Sequence, residues 1–176
     1  MAFNKININQ ILKSHFATLQ NDNSNKAEFD DYLTFLIVPI IVATGLLYFD
    51  IHLKDSAVNI VITTLSILVG LLFNVIVLIF DIIKRDASQK LKNTVLKQLL
   101  ANISFTILLS IVTILFTLAT YFDIEYIKEI ATWIVYFLLT VFIFTVLMVL
   151  KRMYLLFRNE IDEIERTNRE NDEKRS

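Results

Sequence analysis

The chain has 176 residues, 55% of them hydrophobic and 14 of them Phe, and its mean hydropathy is +0.57. This is more apolar surface than a soluble core of this size needs, so part of it has to face lipid. Two Gly and one Pro are too few for an all-β chain or a disordered linker. The lack of Cys excludes a disulfide framework, a thiol nucleophile or an iron–sulfur site, and the formal charge of −1 conceals an uneven spread of 17 basic and 18 acidic residues.

The first residues are polar and mixed rather than a basic start followed by an apolar run, so no cleavable signal peptide is expected. Residues 1–28 read as a cytoplasmic amphipathic segment, in which Ile8, Ile11, Leu12, Phe16 and Leu19 share one helical face opposite Asn, Gln and Lys. That face fits a helix resting in the inner leaflet, and equally one packed on the cytoplasmic ends of a bundle. Asn21 to Asn25 then reads as a polar linker.

Four stretches without Asp, Glu, Lys, Arg or His follow: Tyr32 to Phe49, Ser56 to Phe80, Gln98 to Phe122 and Ile130 to Leu150. Each suits a hydrocarbon core about 30 Å thick, which takes roughly 20 helical residues and demands that every backbone group be satisfied internally. The expected fold is an all-α membrane protein with four transmembrane helices in two hairpins. The spans run over about 30–51, 57–80, 98–122 and 130–152, inside a domain of residues 29–158. A kink is expected at Pro39. All basic residues except Lys54 and Lys128 lie in the N-terminal segment, the loop between spans 2 and 3, or the tail, so the positive-inside rule places both termini in the cytoplasm of a plasma (inner) membrane. Tyr48, Tyr121, Tyr126 and Trp133 fall at the outer interface, and Tyr32 and Tyr154 at the inner one.

On span 2, Asn59, Thr63, Ser66, Gly70, Asn74 and Asp81 recur at steps of three, four or seven. On span 3, Asn102, Thr106, Ser110, Thr113, Thr117 and Thr120 recur at steps of three or four. Each helix therefore has one polar or small face. Such faces either let helices pack closely, with hydrogen bonds averaging about 0.6 kcal/mol each, or line a water-filled path formed by several subunits. No acid or base lies deep in any span, which argues against a proton-coupled carrier. Asp81, at the inner end of span 2, suits an interfacial ion pair or a cation-attracting gate.

The loop after span 2 carries Lys84, Arg85, Lys90, Lys92 and Lys97, a collar suited to anionic lipid or to a cytoplasmic nucleotide or oligonucleotide. Leu91, Val95 and Leu96 at helical spacing suggest that spans 2 and 3 extend past the membrane. After span 4, Leu147, Leu150, Tyr154, Phe157, Ile161 and Ile164 alternate steps of three and four, which is a heptad seam. Tyr154, Phe157, Ile161 and Ile164 are candidates for an oligomerisation seam, or for docking on the N-terminal helix of the same chain. Residues 159–176 form a charged cytoplasmic tail, expected to fray from Thr167, beyond which no apolar residue occurs.

His15 and His52 are placed on opposite sides of the membrane and read as solvated surface residues; no catalytic residue, metal site or cofactor is expected. Four short spans, minimal outer loops, the collar from Lys84 to Lys97 and a charged helical tail resemble the small membrane effectors of bacterial anti-phage defence systems, such as the membrane components of Hailong and Kiwa. The resemblance implies a multimeric effector, a tetramer by analogy, controlled from the cytoplasm and in the Hailong case by a nucleic-acid oligomer. The functional expectation is a homo-oligomeric channel or pore in the lipid bilayer, possible pore-lining residues being the polar faces of spans 2 and 3. The alternative is a membrane anchor that recruits a cytoplasmic partner protein.

Overall fold

A computed structural model describes residues 8–18, 29–85, 90–122 and 124–173. Among them the chain is all-helical: α1 (Ile8–Ala17), α2 (Phe29–Tyr48), α3 (Asp55–Arg85), α4 (Lys90–Ala119) and α5 (Glu125–Glu173). Three segments, Asp55–Asp81, Val95–Ala119 and Tyr126–Glu173, lie in helices long and apolar enough to cross a membrane. α2 contributes a shorter apolar stretch, Phe35–Tyr48, within a 20-residue helix that continues through Pro39. Neither α4 nor α5 contains Gly or Pro, so nothing interrupts them, and the 49 residues of α5 extend about 73 Å.

α2 ends in a turn that sets the direction of the next helix. Asp50 adopts φ 57°, the Ile51 amide donates to the Leu46 carbonyl at 3.0 Å and the Asp50 amide to the Leu47 carbonyl at 2.9 Å. This is the Schellman arrangement, with an Asp in the left-handed position usually taken by Gly. The chain leaves α2 toward α5, where Leu53 is buried with Val58 and Val135, and the Tyr136 hydroxyl donates to the Ile51 carbonyl at 2.9 Å.

The first predicted hairpin does not form: among the described residues α2 makes no close approach to α3 and packs on α5 instead. The second hairpin, α4 with α5, is present, and α3 packs on the other side of α4. Across the bundle the order is α2, α5, α4, α3, with α1 against α4. Three apolar clusters run along it: Leu53, Val58 and Val135 at one end, Leu65, Phe105, Leu109 and Phe142 in the middle, and Ile79, Leu96, Ile103, Val149 and Leu156 at the other.

The outward surface is also apolar, with Ile60, Ile67 and Val77 on α3, Ile111 and Leu115 on α4, and Ile143 and Leu147 on α5 all exposed. A contiguous exposed band of this kind is compatible with a membrane protein. The tail does not fray at Thr167. α5 stays helical to Glu173, and Arg166–Glu170 at 3.8 Å and Arg169–Glu165 at 3.7 Å pair one turn apart. Such pairs contribute about 0.2–0.5 kcal/mol each, a modest support for a helix that has no apolar face to bury.

Candidate functional site

The two polar faces that look alike in sequence have opposite fates. On α4 the face is enclosed: Asn102, Thr106, Ser110, Thr113 and Thr117 are 0% exposed and Thr120 is buried. The hydroxyls turn back onto their own helix, Thr106 donating to the Asn102 carbonyl (2.7 Å), Ser110 to Thr106 (2.8 Å), Thr113 to Leu109 (2.7 Å) and Thr117 to Thr113 (2.8 Å). Every one of these hydroxyls is satisfied without water. The α4 candidates for a pore wall therefore lie buried within one chain, where α4 packs against α5, α3 and α1.

On α3 the face is open. Asn59, Thr63, Ser66, Gly70, Asn74 and Asp81 are all exposed, whereas Val58, Leu65 and Ile79 are buried. At 3.6 residues per turn the polar stripe centres roughly 140° around the helix from that buried seam. Ser66 bonds its own helix, donating to the Ile62 carbonyl at 2.8 Å, and the Tyr121 hydroxyl reaches Asn59 Oδ1 at 3.3 Å. No Cβ added at Gly70 would meet another atom within 4 Å, so this face has room for a second helix backbone.

At the opposite end of α4 lies a buried polar cluster. His15 on α1 is 1% exposed and stacks on Phe105 with centroids 3.8 Å apart and planes 7° from parallel. Its Nδ1 is 2.9 Å from Asn102 Oδ1, and the Phe35 ring of α2 closes the side at 6.4 Å. Thr18 Oγ1 lies 2.6 Å from the His15 carbonyl and 2.8 Å from Asn102 Oδ1. From α5, Arg152 donates to the Thr18 carbonyl at 2.7 Å and to the Gln98 side-chain oxygen.

The cluster is one bond short. Asn102 Nδ2 is buried without a hydrogen-bond partner. The single proton of Thr18 Oγ1 serves either the His15 carbonyl or Asn102, not both. A half-turn of the amide would let Nδ2 donate to both His15 Nδ1 and Thr18 Oγ1, but would leave the amide oxygen as the orphan. Either way one buried polar atom is unmet, at a cost of about 1–3 kcal/mol against seating α1.

His15 was expected on the surface and is instead at the centre of this cluster. His52 is exposed, as expected, with Nε2 2.8 Å from Asp50 Oδ1. The pattern that could have revealed His15 is positional: it stands four residues after Ile11 and three after Leu12, the two α1 side chains that pack into the central apolar cluster. Phe16, placed on the apolar face in the sequence, is 45% exposed, and Leu19 lies outside the described residues. Of the two positions considered for this helix, the structure has the docked one.

In the basic collar, Lys84 is exposed with Nζ 4.4 Å above the Phe80 ring, and Lys97 is exposed on α4. The side chains of Arg85, Lys90 and Lys92 lie outside the described residues. Tyr154, Phe157, Ile161 and Ile164 are all exposed, so the seam is not docked on α1, which packs against α4.

Fold and site together define an all-helical protein with three helices long and apolar enough to cross a membrane, an exposed polar stripe on one of them, and an N-terminal helix seated in the bundle. No protein-family model, no curated protein and no solved structure matches the chain.

Proposed function

We propose that the chain crosses the plasma (inner) membrane four times, with both termini in the cytoplasm, and that several copies assemble into a channel or pore opened from that side. α2 serves as the fourth span, since its 20 residues extend about 30 Å. The basic residues Lys84, Lys97, Lys151 and Arg158 gather at the end of the bundle assigned to the cytoplasm.

The observation that carries the pore reading is the outward polar stripe of α3. Facing lipid, the amide of Asn74 near mid-membrane has nothing to bond, which is costly. A water-filled lumen shared with the α3 helices of other copies removes that cost and gives Asn59, Thr63, Ser66 and Asn74 the role of pore wall, with Asp81 at the inner mouth. The α5 seam supplies a contact for assembly outside the bilayer. The architectural resemblance extends the reading to an anti-phage effector whose opening depolarises the membrane, with a nucleotide or oligonucleotide at the collar as one class of opener.

A second reading, an anchor for a cytoplasmic protein, is favoured by the same exposed seam. Purified protein in planar bilayers tests the choice. Conductance that changes with Asn74→Leu supports the pore. Silent bilayers, together with a co-purifying protein released by deleting residues 161–176, support the anchor.

A further inference from the structure

We propose that α1 is an acid-released latch: His15 holds it, while neutral, in a socket formed by Asn102 and Phe105 of α4 and by Thr18 just past the end of α1, and protonation frees it onto the inner leaflet.

The socket suits an uncharged imidazole. Its floor is the Phe105 ring at stacking distance, its edge is the Phe35 ring, and His15 has almost no contact with solvent. The charged and polar groups around it contain no carboxylate among the described side chains. α4 presents Asn102 and Gln98, both neutral; α5 presents Arg152, whose charge acts against a second cation; α2 presents Phe35; and Lys13 on α1 is exposed. Burial first, and Arg152 in addition, hold the His15 pKa below histidine's ordinary value of about 6.5, with the bond to Asn102 opposing them.

The sign follows from linkage. The released helix binds a proton more readily than the docked one, so docking is strongest above about pH 6.5 and weakens as pH falls toward the lowered value. A tenfold difference in proton affinity between the two states changes the docked-to-released ratio about tenfold once both are titrated. The orphaned amide atom of Asn102 keeps the docked state from being locked. Once released, α1 carries Ile8, Ile11, Leu12 and Phe16 to the membrane surface, a face built for it. The two positions the sequence allows for this segment then become two states of one switch.

Seating and release stand on this geometry alone; that release opens the pore rests on the pore reading. The native chain has no Cys, so spin labels at Ser14→Cys and Lys97→Cys, both exposed, report the α1–α4 distance in nanodiscs diluted with unlabelled chain. One short distance is expected at about pH 7.5, and a longer population replacing it at about pH 5. The chain has two His, so histidine-selective NMR follows His15 with exposed His52 as the internal reference, and His15 protonation is expected to coincide with the distance change. A distance that does not respond to pH, or one that changes while His15 stays neutral, overturns the latch. Release without any current leaves the latch standing and removes the pore instead.

Discussion

If the α5 seam joins copies as proposed, replacing Ile161 and Ile164 together by Ser should separate them while leaving the single chain intact. Both side chains stand 56% exposed on α5, with Phe157 at 47% and Tyr154 at 64%, and none of the four is needed by a core cluster. Fully burying an Ile stabilises by about 1.5–3 kcal/mol, and about half of each side chain remains to be covered, which leaves about 1 kcal/mol per residue for a partner to supply. The double substitution removes about 2 kcal/mol per chain, or about 4 kcal/mol across a contact between two chains. That is roughly a thousandfold in Kd. The helix itself should persist, because the ion pairs of Glu165 with Arg169 and Arg166 with Glu170 are untouched. Mass photometry in nanodiscs across a concentration series reads the shift directly, and circular dichroism checks helicity. An unchanged mass distribution at every concentration would refute the assignment of the seam to self-association.

The two polar faces predict opposite sensitivities. Thr113→Val removes a hydroxyl that bonds only its own helix, so stability in detergent should fall by only about 0.6 kcal/mol and any current should be unaltered. Ser110→Leu overfills a position with no exposure and should cost about 1–3 kcal/mol, seen as a lower thermal midpoint. Asp50→Val places a β-branched residue in the left-handed turn and should destabilise by about 1–2 kcal/mol, measured by the same melt. Phe105→Ala removes the floor of the His15 socket, and the α1–α4 distance should lengthen even at about pH 7.5.

The apolar runs were legible because length and hydropathy alone decide them: α3, α4 and α5 overlie the stretches beginning at Ser56, Gln98 and Ile130. Continuity of α5 past Leu150 was legible from its heptad spacing. Which polar face would be hidden was not legible. Asn59 to Asn74 and Asn102 to Thr117 are both stripes of small or polar residues at steps of three and four, and only the packing order α2, α5, α4, α3 encloses one and exposes the other. The turn that ends α2 was equally hidden, because the left-handed Asp50 has no Gly to announce it. His15 was missed because a lone histidine on a polar segment reads as solvated; its register with Ile11 and Leu12 was the available clue. The tail helix was underestimated because pairs such as Arg166 with Glu170 stabilise a helix without any apolar periodicity.

In the proposed assembly α3 turns its polar stripe toward water shared between copies. In the Cys-free native background, Asn74→Cys and Thr113→Cys should be reconstituted separately and exposed to a charged, thiol-reactive methanethiosulfonate while current is recorded. The reagent should block current through Asn74→Cys and leave Thr113→Cys untouched. Block at Thr113 with none at Asn74 would overturn that arrangement.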